Sequence, residues 1–239
     1  MYSENASWFH VLTPPHEYAE EAATYTRLLL EGCPAAKTLL ELGSGGGNNA
    51  SHMKATFACT LSDLTPAMLA LSQTINPELE HIEGDMRTMR LGRTFDVVFI
   101  HDAVAYVTTL EELALAAATA FAHTRPGGAA LWVPDCTRET FVAGTDHGGE
   151  DDPDGRSLRY LEWTVEADPK GTTYDVHYAY LLNDGTRVWA EYDHHVCGLF
   201  SRAQWMETLE AAGFTVETPE LDPEVHEEQV AFLCRRPLS

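Results

Sequence analysis

The sequence predicts an α/β protein: a mostly parallel sheet with an antiparallel final strand, and a small antiparallel β cap inserted after the fifth strand. Three observations carry this. Short apolar runs at Lys37–Leu42, Phe57–Ser62 and Phe95–Ile100 alternate with helical patterns, as strands buried on both faces of a parallel sheet do. The first run ends in Glu41-Leu42 and then in glycines 43, 45, 46 and 47, a place where a ligand can approach the backbone. After residue 134 the period falls to two, with Tyr174, Val176, Tyr178, Tyr180 and Leu182 alternating with Asp175 and His177.

The 239 residues suffice for one large domain over 1–239, with 1–36 as N-terminal lid and helix and 144–198 as the inserted cap. Trp8, Phe9, His10 and Pro14-Pro15 form an aromatic lead-in suited to fold over a pocket. From His16, Tyr18, Ala22, Tyr25, Leu28 and Leu29 recur at helical spacing, and Gly32 with Pro34 ends the helix. Strand one follows, then a crossover helix over 48–55. Strand two ends at Asp63, and Thr65-Pro66 opens the next helix. Leu79–Glu83 is strand three and Phe95–Ile100 strand four, with His101-Asp102 at its tip. Thr108, Thr109, Glu111 and Glu112 form overlapping capping boxes ahead of an alanine-rich helix. Arg125–Gly128 ends that helix, Ala129–Val133 is strand five, and Asp135 follows it.

Residues 144–156 carry no apolar side chain and are expected as a mobile acidic loop. Runs over 158–167, 172–182 and 187–197 form an antiparallel meander, turned at 169–171 and at Asn183-Asp184-Gly185. Ser201 and Gln204 form a capping box, with Phe200 and Trp205 as its hydrophobic staple. Segments 214–217 and 229–234 close the fold as an antiparallel pair.

Glycines 43, 45 and 47 supply backbone with positive φ and remove the Cβ atoms that would hold a ligand away. A dinucleotide fingerprint starting at Gly43 would need glycine at 48, where this chain has Asn48, so the turn suits another adenosine-bearing ligand. Asp63, at the carboxyl end of strand two, offers two acceptor oxygens to adjacent ribose hydroxyls; the competing reading is an N-cap for the helix at Pro66. The pattern Glu41-x-Gly43-x-Gly45-x-Gly47 resembles motif I of class I S-adenosylmethionine (SAM) dependent methyltransferases. Gly84-Asp85-Met86-Arg87, the Pro126-Gly127-Gly128 turn and the segment Leu209–Phe214 resemble further family features in the family's order.

That resemblance implies a Rossmann-like class I methyltransferase sheet, SAM as cofactor and S-adenosyl-L-homocysteine as product. It implies cofactor contacts from Tyr18, Glu41, Gly43, Ser44, Gly45, Gly47, Asp63, Leu64, Met68, Asp85, Met86, Ile100 and His101. Segments Tyr18–Ala22, Gly84–Arg93, Glu139–Phe141 and Leu199-Phe200 are similar to those of the dTDP-amino-sugar N,N-dimethyltransferases of antibiotic biosynthesis. The chain departs from them in carrying His10 and His16 where they usually carry a basic residue. Arg138, Arg156, Arg159 and Arg202 are its candidates for holding a diphosphate.

A formal net charge of -22 excludes a nucleic-acid substrate on electrostatic grounds and suits a cationic or neutral small molecule. The competing reading is solubility alone. Five scattered cysteines without Cys-x-x-Cys spacing read as free thiols in a reducing compartment, and no apolar run spans a membrane, so the expectation is a soluble cytoplasmic protein. The expected activity is methyl transfer to the nitrogen of a small amine; transfer to oxygen, or SAM binding without turnover, are the alternatives. His101, Asp102 and Asp135 are the candidate proton acceptors. No metal site is expected from His177, His194, His195 or the acidic loop. Of His194 and His195, only one can face a given site, and Tyr160, Trp163, Tyr178 and Trp189 are aromatic candidates for holding an amine. A homodimer is left open.

Overall fold

The computed structural model describes residues 6–222 and 229–238. Seven strands form one sheet: β1 (Thr38–Leu42), β2 (Ala58–Asp63), β3 (Glu80–Glu83), β4 (Phe95–Ile100), β5 (Thr124–Trp132), and two later strands, β10 (Thr215–Glu217) and β11 (Phe232–Arg235). Their order is β10-β11-β5-β4-β1-β2-β3. Every pairing among β1 to β5 is parallel, and β11 runs antiparallel to both β5 and β10. The order reverses between β1 and β4, so the carboxyl ends of those strands open a crevice there.

Successive residues of β1 feed opposite cores because strand side chains alternate. Leu39 packs with Val97, Phe99 and Leu131 beneath Ala22, Tyr25, Leu28 and Leu29 of α2 (Ala19–Gly32) and Ala50 and Met53 of α3 (Asn48–Met53). Leu40 and Leu42 pack with Val98, Ile100 and Trp132 under α5 (Leu110–His123) and α6 (Arg202–Ala211). Burying each of these side chains stabilises the fold by about 1.5–3 kcal/mol. The alternation thus builds two cores and leaves only the strand tips for chemistry.

The helix ends follow the sequence chemistry. Ser201 and Gln204 form a complete capping box, and Phe200 meets Trp205 edge-to-face at 6.1 Å. Thr109 caps α5, while the Glu112 carboxylate accepts the Thr108 N–H at 3.0 Å. Between β2 and β3 lies α4 (Pro66–Ile75), with Pro66 at its first position.

The second sheet has order β6-β7-β8-β9, all antiparallel: β6 (Gly144–Asp151), β7 (Ser157–Thr164), β8 (Thr173–Asn183) and β9 (Val188–Gly198). The expected acidic loop is therefore largely a strand. Only 152–156 make the turn, closed by the Asp152 N–H on the Arg156 carbonyl at 2.8 Å. A strand at a sheet edge is held by backbone bonds to one neighbour and needs no apolar side chains, and its charges protect the edge from further pairing.

Three boundaries also differ from expectation. Pro15–Tyr18 is a 3-10 turn, so α2 begins at Ala19; the lead-in is itself helical at Ala6–Trp8 and in α1 (Phe9–Leu12). Crossover helix α3 stops at Met53. Arg125–Gly128 lies inside β5, where a register shift opposite Phe95 and Val97 absorbs a positive φ at Gly127.

The cap sheet is tied down at both ends. Leu158, Tyr180 and Leu182 pack on Trp8 and Val11 of the lead-in, while Tyr174, Val176 and Cys197 pack on Ala105 and Leu199. Among the described residues, no helix is long and apolar enough to cross a membrane.

Candidate active site at the carboxyl edge of the parallel sheet

A cavity of about 1240 Å³ lies over the tips of β1, β2, β4 and β5, walled by the cap and by the lead-in. Its floor is the glycine turn, where Gly43, Gly45 and Gly47 have φ of 76°, 53° and 76°. A Cβ on Gly47 would collide with Ser72 and Asn76 of α4 and its end, so that position admits no side chain.

Asp63 braces the turn. Its Oδ2 accepts the Gly45 N–H at 2.9 Å and its Oδ1 accepts the Thr65 N–H at 2.8 Å. Thr65, not Asp63, is the N-cap of α4; Asp63 holds the Thr65 N–H in place and lines the cavity with its carboxylate. Burial raises its pKa, and the N–H groups oppose that rise.

Glu41 is only 4% exposed, and burial, with Asp63 and Glu21 close by, pushes its carboxyl up to about 8. Its Oε2, like the Ser44 hydroxyl, is buried on the cavity without a hydrogen-bond partner among the described residues. Buried polar atoms left unpaired cost about 1–3 kcal/mol each, so this wall is shaped to be completed by a ligand. At Asp85, Arg87 donates from Nε and Nη2 to the carboxylate, and the same guanidinium reaches Glu112, anchoring the 84–87 turn to the start of α5.

At the tip of β4, His101 Nε2 stands 3.1 Å from the Tyr25 hydroxyl and 3.1 Å from Asp102 Oδ1, with its ring stacked on Phe99. Asp102 is hydrogen-bonded to Asp135, which follows β5. The Asp102 side chain is 52% exposed, but that surface belongs to the cavity wall, and the enclosing protein raises its carboxyl to about 6. Asp135 is raised well above the usual range by burial and by the neighbouring Asp102 charge, so of this pair Asp135 holds the proton.

Tyr18, Glu41, Gly43, Ser44, Gly45, Asp63, Leu64, Asp85, Met86, His101, Asp102 and Asp135 all line the cavity. Gly47, Met68 and Ile100 do not line it: Gly47 is the N-cap of α3, Met68 lies near Gly45, and Ile100 is part of the core. His195 lines the cavity while His194 bonds Asp175 on the opposite face, as strand alternation requires. Of the aromatic candidates, Tyr178 lines the cavity, Trp163 points outward at 60% exposure, and Tyr160 and Trp189 pack around Trp8. Phe9 of the lead-in lines the cavity as expected, whereas the sequence did not single out Glu162, Tyr174 and Tyr180 of the cap or Leu12 of the lead-in as site residues, all of them cavity-lining. The tyrosines carried a signal, the apolar phase of β8.

The four arginines suggested for a diphosphate lie elsewhere. Arg138 donates to the carbonyls of Gly171 and Leu199, Arg156 pairs with Asp152 and Asp154, and Arg159 pairs with Asp151; Arg202 stands at the start of α6. None of them lines the cavity. Among the described residues, no group of histidine, cysteine, aspartate and glutamate is arranged to hold a metal.

A methyltransferase domain family matches residues 39–128, which hold the glycine turn, Asp63 and the 84–87 turn. A dTDP-3-amino-3,4,6-trideoxy-alpha-D-glucopyranose N,N-dimethyltransferase of Streptomyces venezuelae is 32% identical over 209 residues, 87% of each chain. The chain is a SAM-dependent methyltransferase. A dTDP-3-amino-3,6-dideoxy-alpha-D-glucopyranose N,N-dimethyltransferase of Streptomyces fradiae is 28% identical to it over 84% of its length and 79% of the relative's. The methyltransferase superposes on the crystal structure of Streptomyces venezuelae DesVI with a TM-score of 0.87 at 27% identity, covering 99% of this chain and 100% of that one. It also superposes on a SAM-bound amino pentose methyltransferase of Micromonospora echinaspora, with a TM-score of 0.79 at 26% identity over 92% and 91% of the two chains. The wall fits this cofactor: unpaired Glu41 Oε2 matches an ammonium, and the glycine turn admits a ligand against its backbone.

Proposed function

We propose that this methyltransferase transfers a methyl group to the nitrogen of an amino sugar. The observation that carries the reading is the trio Asp102, Asp135 and Glu162, three carboxyl groups facing one cavity beside the cofactor wall. The relatives' names support the amino sugar.

On this reading Glu41 takes the ammonium of the cofactor, Asp63 its ribose hydroxyls, and the Asp85-Met86 turn its adenine. Gly43, Ser44 and Gly45 present backbone, and Tyr18 and Leu64 close the sides. SAM supplies the methyl and leaves as S-adenosyl-L-homocysteine. An amine at neutral pH enters as an ammonium and has no free lone pair, so it must lose a proton first. Asp102, with its pKa of about 6, accepts that proton, while Asp135 keeps its own and hydrogen-bonds the new neutral pair. His101, fixed by Tyr25, positions Asp102. Holding the neutral amine in line with the methyl supplies most of the acceleration, up to about 7–11 kcal/mol in well-oriented systems.

The lead-in serves as a lid: His10 Nε2 lies 3.0 Å from the Gly46 carbonyl, and Asn48 donates to the Thr13 carbonyl at 2.9 Å. Five free cysteines, four of them buried, support the cytoplasm as its compartment. Exposed Leu161, Trp163, Leu181 and Tyr192 on the outer face of the cap sheet support a homodimer, which light scattering would test.

The test is mass spectrometry of amino sugars incubated with enzyme and SAM. Gain of one or two methyl groups on nitrogen supports the reading; a methyl on oxygen, or none while SAM binds, overturns it.

A further inference from the structure

We infer that Tyr106 is a specificity-determining residue: its hydroxyl accepts a hydrogen bond from an acceptor hydroxyl beside the reacting amine, and His195 with Asp193 holds it in that role. The inference rests on the amino-sugar reading above and names what the site reads next to the nitrogen.

Tyr106 and His195 reach the cavity from the core and from the cap. Tyr106 ends the 3-10 turn Asp102–Tyr106, and His195 lies on β9. The Tyr106 oxygen is 2.6 Å from His195 Nδ1, with the ring centroids 5.7 Å apart. On the other side of the imidazole, Nε2 is 3.2 Å from Asp193 Oδ2. Asp193 and His195 are two residues apart on one strand and therefore share a face, the one turned toward the core. Tyr178 packs edge-on against the His195 ring at 5.4 Å, so the imidazole is fixed by packing as well as by its two polar neighbours.

These neighbours set the direction of each hydrogen bond. A carboxylate only accepts, so His195 carries its proton on Nε2. Burial lowers the His195 pKa against the pull of Asp193, which keeps the ring neutral and makes Nδ1 an acceptor. Tyr106 must then donate its one hydrogen to Nδ1, and what its oxygen presents to the acceptor is lone-pair density. The phenol therefore recognises a donor. Asp102, which takes the amine proton in the mechanism above, stands at the other end of the same turn, about 8 Å away along a 3-10 axis, a span that one sugar ring bridges. With the amine engaged by Asp102, a hydroxyl on the neighbouring ring carbon is the donor that meets Tyr106. A phenol is uncharged at neutral pH, so it reads that hydroxyl without drawing the ammonium away from the carboxylates.

The experiment measures kcat/KM for S-adenosyl-L-homocysteine release with dTDP-3-amino-3,6-dideoxy-alpha-D-glucopyranose, the sugar in the name of the Streptomyces fradiae relative, and with its 2-deoxy and 4-deoxy analogues. Wild type and Tyr106→Phe are compared. In wild type, removing one of the two hydroxyls beside the amine should lower kcat/KM by about tenfold or more. Tyr106→Phe should lower kcat/KM for the parent sugar by about tenfold or more and for that analogue by less than about twofold, with the SAM-induced Tm shift preserved. A wild type indifferent to both hydroxyls, a Tyr106→Phe loss that falls equally on all three sugars, or no loss at all overturns the inference and leaves N-methylation of an amino sugar standing. Methylation of none of the three by wild type, with SAM still raising the Tm, overturns that reading and the inference with it. His195→Leu tests the brace: the wild-type preference for the parent sugar should shrink by about threefold or more, since Tyr106 loses the acceptor that orients it. An unchanged preference overturns the part assigned to His195.

Discussion

Replacing Glu41 by Gln reaches the cofactor wall through a quantity that can be measured without any acceptor. Glu41 is 4% exposed, has an unpaired Oε2, and holds its proton to about pH 8. In the unfolded chain the same carboxyl ionises near its ordinary value of 4.5. A group raised on folding stabilises most below its unfolded value and loses that contribution as pH climbs toward the folded one. Glu41 should therefore cost the wild-type apo enzyme stability between about pH 4.5 and pH 8, and the Glu41→Gln variant, which keeps the raised carboxyls of Asp63, Asp102 and Asp135 but lacks this one, should lose less over the same range. A rise of this size is worth about 5 kcal/mol at 1.36 kcal/mol per pK unit. Water entering the cavity lowers that to about 2 kcal/mol, which for a chain of this length is about 4–8 °C in Tm. Thermal unfolding of both proteins without ligand, from about pH 5.5 to about pH 8.5, reads the difference. The Tm of the variant should gain on wild type by that amount as pH rises, and saturating SAM should restore the advantage of wild type by giving the carboxylate its partner. A gap that stays constant with pH, or narrows, refutes the burial argument for Glu41.

Asp63→Ala removes the brace on Gly45 and the proposed ribose acceptor, and should weaken SAM binding roughly 10- to 100-fold by calorimetry, the loss of about 1.5–3 kcal/mol. Asp102→Asn should lower kcat and abolish the acid limb of the pH–rate profile: Asp102 accepts a proton only when ionised, so wild-type activity rises as pH passes about 6. Ser201→Ala breaks the capping box of α6 and should cost about 1 kcal/mol by denaturant unfolding, with SAM affinity unchanged.

The floor of the site could be read along the chain because the chemistry is local there. Gly43, Gly45 and Gly47 are glycine for a backbone reason, and Asp63 stands at a strand end that parallel topology turns toward the ligand. The same locality made the capping box at Ser201 legible. The acceptor side is assembled differently. Glu162, Tyr174 and His195 come from separate strands of the cap, and only the fold of β7, β8 and β9 over the sheet tips brings them beside Asp135. Arg156 and Arg159 misled for a related reason: acids within a few residues of each in sequence or across one hairpin captured them. Strand β6 was hidden because an edge strand with little core contact leaves no apolar period.

Methyl transfer from SAM to an amino-sugar nitrogen can be observed directly. Purified enzyme, SAM and a panel of amino sugars and hydroxylated sugars, followed by mass spectrometry and by S-adenosyl-L-homocysteine release, tests it most directly. Stoichiometric release of S-adenosyl-L-homocysteine with methyl groups found on nitrogen is expected; release coupled to methylation of oxygen alone, or no release with any amine, would exclude N-methylation of an amino sugar.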